Sequence, residues 1–310
     1  MYRGFGVHHV GVGVKNLETM KSFYKETLGF TNVFMEEPMG EVDGTYEMFR
    51  MPSARLAMIM LQQEAGGVID ELVQMSNPVP RPIRKETRYG DIGVAKIAIA
   101  VSNVERLYEE LKGKVNFCSK PKSTKIPGWG DYAFVYGRDP EGNLIEFVSG
   151  SKLRVANRFG GSRWIGISVT DLERSRSFYQ KYLGFDTLVV NSHSSFSGLV
   201  DEISGGSKTQ VQSCIISNSR GGGMLELFEV LKPRGRSIPL ATYWGDFGYL
   251  EVCLLSNDIH ETEKHCEKEG LEILCRPVNE GERTSFMYIR DPDGNPVELI
   301  PFKMPERQAN

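Results

Sequence analysis

Several glutamates in this chain stand where a carboxylate is costly. Glu226 lies within MLELFEV and Glu298 within NPVELI, each in a strand-like run among apolar residues. A carboxylate buried there raises the free energy unless a cation, a basic side chain or a proton compensates it. A metal ion is one way to do this, and Arg290, Arg283 or Lys208 offers another. Alternation puts His9, Gly11 and Gly13 on one face of a strand and Val10, Val12 and Val14 on the other, so the imidazole has small neighbours and room for a ligand. Lys96 with Ala98 and Ala100, and Trp164 with Gly166 and Ser168, repeat that open face. Lys96 suits an ion pair, a grip on an anionic substrate or a proton transfer. His8 falls on the face opposite His9, and His260 and His265 fall on a helix, so these three read as surface or packing residues.

These residues are held by a repeated frame. VGVGVKNLETMKSFYKETLGF from Val10 returns as IGISVTDLERSRSFYQKYLGF from Ile165, with ten of 21 positions identical at an offset of 155 residues. RDPEGNLIEFV from Arg138 returns as RDPDGNPVELI from Arg290. The chain is therefore a duplication, and each half carries the plan twice, in modules that begin near Val7, Val94, Arg163 and Tyr249. Each module opens with an alternating strand. A polar cap follows (Asn16, Asn103, Asp171, Asp258), then an amphipathic helix, then a glycine stop. The Asp-Pro-x-Gly-Asn segments predict tight turns between strands. The connector 64–91 is long enough for a short helix over 68–75.

The 310 residues suffice for two cores, and we place domains at 1–150 and 151–310, each with two modules. A formal charge of −3 gives no field for nucleic acid. The first residues lack the pattern of a secretory signal, and no run of about 18 apolar residues would span a membrane. Five scattered cysteines without paired spacing read as reduced thiols of a cytoplasmic protein. A small-molecule substrate and a monomer or homodimer complete that expectation.

The tandem modules, with FY..LGF closing the helix and DP.GN..E opening the last strand, resemble the vicinal oxygen chelate superfamily of glyoxalases, extradiol dioxygenases and bleomycin-resistance proteins. The resemblance implies an α+β fold of four βαβββ modules paired into two cupped mixed-sheet half-barrel domains. It also implies a divalent metal held by one side chain from the first strand and one from the last strand of each module. Carried over, the first-strand positions are His9, Lys96, Trp164 and Glu251, and the last-strand positions are Met58, Glu146, Glu226 and Glu298. Two histidines and a carboxylate, the set a ring-cleaving dioxygenase needs, are not present at these positions.

Which residues meet depends on how modules pair. Neighbour pairing, the simpler topology, groups His9, Met58, Lys96 and Glu146 in one cup and Trp164, Glu226, Glu251 and Glu298 in the other, which would suit Mn²⁺ or Mg²⁺. Crosswise pairing groups His9 with Glu251 and Glu298, a set suited to Mn²⁺, Fe²⁺, Co²⁺, Ni²⁺ or Zn²⁺. Both put Glu251 and Glu298 together. The resemblance thus implies a metal-dependent lyase or isomerase acting on a small vicinal-oxygen substrate, aromatic ones included. His9, Glu251 and Glu298 would hold the metal, Glu226 would move the proton, and Lys96, Glu146 and Trp164 would contact substrate. The rivals are a metal-free protein that sequesters a planar apolar ligand and a dioxygenase with atypical ligands.

Overall fold

The computed structural model of the protein describes residues 2–43, 48, 53–239, 242–278 and 286–302. The first module comprises β1 (Gly4–Gly13), α1 (Leu17–Ser22, continued by a π turn over Phe23–Thr27), β2 (Asn32–Asp43), β3 (Ser53–Gln62) and β4 (Ile69–Asn77). The second holds β5 (Gly93–Val101), α2 (Val104–Leu111), β6 (Asn116–Phe117), β7 (Lys122–Ile126), β8 (Gly130–Arg138) and β9 (Leu144–Gly150). The third holds β10 (Phe159–Ser168), α3 (Leu172–Leu183), β11 (Thr187–His193), the one-turn α4 (Asp201–Ser204), β12 (Gln210–Ser217) and β13 (Met224–Lys232). The fourth holds β14 (Gly248–Ser256), α5 (Ile259–Glu269), β15 (Ile273–Val278), β16 (Phe286–Arg290) and β17 (Pro296–Pro301). The architecture is α+β with two mixed sheets, as expected. Among the described residues no helix is long and apolar enough to cross a membrane.

The helices start where their caps stand. The side chains of Asn16, Asn103, Asp171 and Asp258 each accept a hydrogen bond from the backbone N–H three residues on, at 2.9, 2.7, 2.9 and 2.8 Å. Gly184 (φ 83°) and Gly270 (φ 68°) end α3 and α5 in the left-handed region. In the two Asp-Pro turns, Asp139 and Asp291 accept from the backbone and side chain of Asn143 and Asn295.

Neighbouring modules do not share a sheet, contrary to the simpler expectation. β1 lies antiparallel to β14 and β5 to β10. The sheet orders are β15-β16-β17-β14-β1-β4-β3-β2 and β11-β12-β13-β10-β5-β9-β8-β6, with β7 against β8. Each half of the duplication therefore gives one module to each sheet. Patterning could not choose between the pairings, because every first strand offers the same apolar face: Val10 and Val12, Ile97 and Ile99, Ile165 and Ile167, Val252 and Leu254 all join one core with the helices between the sheets. Sequence neighbours meet instead through turns. Glu141 accepts from the backbone of Lys15 (2.8 Å) and Asn16 (3.0 Å), and Asp293 accepts from Thr170 (3.0 Å).

The segment 68–75 is also corrected. From Ile69 on it lies in β4, where Glu71, Val73 and Met75 alternate with Leu72 in strand fashion, and Leu72 joins the shared core while Val73 and Met75 face the other way.

Candidate metal centre

Four central strands of the first sheet aim one polar side chain each at one spot. β1 supplies His9, β4 Glu71, β14 Glu251 and β17 Glu298. The register aligns them: Gly11 stands opposite both Glu71 and Glu251, and Cys253 opposite both His9 and Glu298. Gly11 leaves room for the Glu251 carboxylate, which a Cβ there would overlap. His9 Nε2 lies 2.9 Å from Glu298 Oε2 and 3.6 Å from Glu71 Oε2. Ligand atoms of His9, Glu71 and Glu251 fall within 4.8 Å of one another.

The centre carries more negative charge than its own side chains can offset. All four residues are buried, with Glu298 the most exposed at 8%. Among the described residues no lysine or arginine pairs with the three carboxylates: Arg290 pairs with Glu272 at 3.2 Å and donates to Gly294 O, while Arg283 lies outside the described residues. Both oxygens of Glu251 lack a well-formed hydrogen bond, and Oε2 of Glu298 and Nε2 of His9 have only each other, at 2.9 Å. Burial pushes the Glu71 carboxyl up to about 7, against the pull of His9. Burial, then the charges of Glu71 and Glu298, push Glu251 well above the usual carboxylate range, with the Trp244 indole pulling the other way. Glu298 is held low, because hydrogen bonding and charge from His9 outweigh its burial. Burial would lower His9, yet Glu71 and Glu298 raise it. Burial and then His9 push His8 down to about 4.

This donor set fits a divalent ion. One imidazole nitrogen with carboxylate oxygens suits Mn²⁺, Fe²⁺, Co²⁺, Ni²⁺ or Zn²⁺, and the unbonded buried oxygens are the acceptors such an ion would satisfy. The surrounding wall is apolar: Leu56, Val73, Met75 and Tyr288, with Met58, Trp244 and Leu274 against them. A cavity of about 570 Å³ reaches this wall at Met48, Trp244, Leu274 and Tyr288.

The matching spot in the second sheet is built otherwise. β10 supplies Trp164, β13 Glu226, β5 Lys96 and β9 Glu146, all buried, in the same register across Gly166. Lys96 Nζ donates to Glu146 Oε2 at 2.6 Å and to Tyr136 Oη at 3.0 Å, and pairs with Glu226 Oε2 at 2.9 Å. Trp164 Nε1 donates to Glu226 at 3.0 Å and Tyr132 Oη to Glu146 at 3.2 Å. The ammonium also lies over the rings of Tyr89, Tyr136 and Phe228. Burial would lower Lys96, yet Glu146 and Glu226 hold it above the ordinary lysine range. Phe196, Val200 and Ile203, from the β11–β12 connection, fill this cup, with Phe196 against Tyr132 and Phe134.

The structure therefore brings His9, Glu251 and Glu298 together. It separates Glu226 from them, so this glutamate cannot move a proton beside Glu251 and instead holds Lys96 and Trp164. Lys96, Glu146 and Trp164, expected to contact substrate, bond one another in the filled cup. Met58 lies on β3, in the wall rather than at the centre. Its position belongs to Glu71, which the expectation of a helix over 68–75 hides. The signal was present: the offset of 155 residues that relates Trp164 to His9 also relates Glu226 to Glu71.

Comparison with known proteins agrees with this frame. The Glyoxalase/Bleomycin resistance protein/Dioxygenase superfamily matches residues 6–147 and 161–299, and the chain belongs to that superfamily. Glyoxalase I of Saccharomyces cerevisiae is 27% identical over 223 residues, 67% of this chain. The match spans 64% of the length of that yeast protein. The crystal structure of glyoxalase I from Zea mays superposes with a TM-score of 0.64 at 20% identity, over 97% of this chain and 93% of that one, a likeness of fold.

Proposed function

We propose that the chain is a divalent-metal-dependent lyase or isomerase of the glyoxalase type, acting on a small substrate that offers two adjacent oxygens. One observation carries this reading: three buried carboxylates and one imidazole converge, with no lysine or arginine among the described residues to balance them. The likeness to yeast glyoxalase I supports the reaction class. His9, Glu71, Glu251 and Glu298 would hold the ion. Bound there, a divalent ion supplies a Lewis acid for a carbonyl or enediolate oxygen.

The chain's own residues do the rest. Glu71 takes the role first expected of Glu226: at 3.6 Å from His9, against 2.9 Å for Glu298, it is the more loosely held, and its Oε2 can receive and return a proton. The wall of Leu56, Val73, Met75 and Trp244 keeps water away and favours a substrate with an apolar or aromatic body. A metal-free sequestering protein, the rival reading, leaves the carboxylates facing one another with only His9 and protons to compensate them.

Metal analysis and thermal shift test this. The purified protein should carry close to one equivalent of a transition ion, or melt higher on adding Mn²⁺, Co²⁺ or Ni²⁺ after chelation. No bound metal and no shift with any of the three would overturn the proposal.

A further inference from the structure

A bulge beside His9 brings a second imidazole to the metal centre. Regular pleating would send His8 to the face opposite His9. In the structure the β1–β14 register slips between Val7 and His9. His8 Nδ1 then lies 2.8 Å from His9 Nδ1, with ring centroids 5.1 Å apart and the planes at 75°. Two imidazole nitrogens at that separation are joined by one N–H, so one ring donates and the other accepts. The other nitrogen of His9, Nε2, faces Glu298 and Glu71.

We propose that His8 is a positioning residue that accepts the Nδ1–H of His9, turning the His9 ring toward the carboxylates and leaving its Nε2 lone pair for a divalent ion. The proposal rests on the metal-centre reading above. A histidine ligates through a nitrogen that bears no proton, and a partner on the other nitrogen selects that tautomer. A carboxylate partner would add a fourth negative charge beside Glu71, Glu251 and Glu298, whereas an imidazole acceptor adds none. The filled cup supports the argument by contrast. There the matching pair is Arg163 and Trp164, and the indole, with a single N–H that donates to Glu226, has no tautomer to select.

The test compares His8→Phe, which keeps a ring and loses the acceptor, with His8→Asn, whose Oδ1 can stand where Nδ1 stands. The readouts are Mn²⁺ affinity by calorimetry and the His9 tautomer by long-range ¹⁵N–¹H correlation on the Zn²⁺-loaded wild type. His8→Phe should weaken Mn²⁺ binding about ten- to a hundredfold, the range for partners behind a ligand. His8→Asn should recover most of it, and wild-type His9 should carry its proton on Nδ1. Wild-type affinity in His8→Phe, or a proton on Nε2, would overturn the proposal and leave the metal centre standing. So would a Co²⁺ thiolate band lost in Cys253→Ser, since Cys253 Sγ lies within 4.8 Å of both histidines and the band would put metal on His9 Nδ1. A wild type that binds no Mn²⁺ removes the metal reading and this proposal with it. If His8→Phe does not fold, the wild-type spectrum and His8→Asn decide.

Discussion

The two cups use one frame for opposite ends. Position by position, His9 corresponds to Trp164, Glu71 to Glu226, Glu251 to Lys96 and Glu298 to Glu146. Exchanging one carboxylate for an ammonium changes everything around it. In the second cup Lys96 stands among the carboxylates, each of which also receives a Trp or Tyr donor, and aromatic side chains from a loop fill the space. In the first cup the matching residue, Glu251, adds charge instead of removing it, both its oxygens lack a well-formed hydrogen bond, and a cavity reaches the wall. A buried polar cluster completed by its own residues serves the fold, and one left incomplete is available to a ligand.

The contrast can be broken most forcefully at Lys96. Lys96→Met leaves Glu146 and Glu226 buried without their cation and should cost about 3–5 kcal/mol in urea unfolding, the usual penalty for removing one partner of a buried pair. Metal affinity should not change; an unaltered stability would show that the second cup does not depend on its ammonium.

Glu251→Gln should do the reverse. Losing this carboxylate should weaken Mn²⁺ binding by at least about a hundredfold, beyond what partners behind a ligand contribute. The metal-free protein should melt no lower than wild type, because a buried carboxyl that burial, Glu71 and Glu298 already disfavour in its ionised form is gone. Equal Mn²⁺ affinity by calorimetry would remove Glu251 from the centre.

The cups should also differ in pH response. Glu71 is raised from 4.5 to about 7, and Glu251 is raised as well, so the folded metal-free protein binds more protons than the unfolded chain. That stability is fully present below the unfolded carboxylate range and is lost as pH rises through about 7. Raised His9 acts in the same direction, and lowered Glu298 acts against it. Metal-free protein should therefore melt lower at pH 8 than at pH 6, and Mn²⁺ should narrow the gap. A melting point that rises between those values without metal would contradict this charge assignment.

The smallest effect is expected at Asp70. Both its oxygens are buried without a hydrogen bond, and the matching residue in the other half is Leu225. Asp70→Leu should raise stability by about 1–3 kcal/mol, the usual cost of an unpaired buried polar group. A lower melting point would mean that the carboxyl is compensated in the native state.

Much of this was legible in the residues. Caps at Asn16, Asn103, Asp171 and Asp258, the paired Asp-Pro turns and the two-residue alternation around His9 are local features, and each formed as its chemistry required. The same periodicity assigned His9 to the face with Gly11. It failed at His8, because a bulge is a property of the strand partner and not of the strand alone. It failed at Glu71, because alternation over 69–75 competes with a helical reading when the neighbouring strand is unknown.

By itself the sequence determined four modules, their opening strands, capped helices and Asp-Pro turns, and that Glu226 and Glu298 would be costly to bury, since hydrogen bonds and periodicity within about twenty residues set those. Only the tertiary structure decided that the first module meets the fourth. The first strands present equivalent apolar faces, so the hydrophobic effect, which is not directional, favours every pairing alike. The choice rests on contacts between residues more than 200 positions apart, such as His9 opposite Cys253 and Gly11 opposite Glu251. That choice sent Glu226 to Lys96 and left Glu251 and Glu298 with His9.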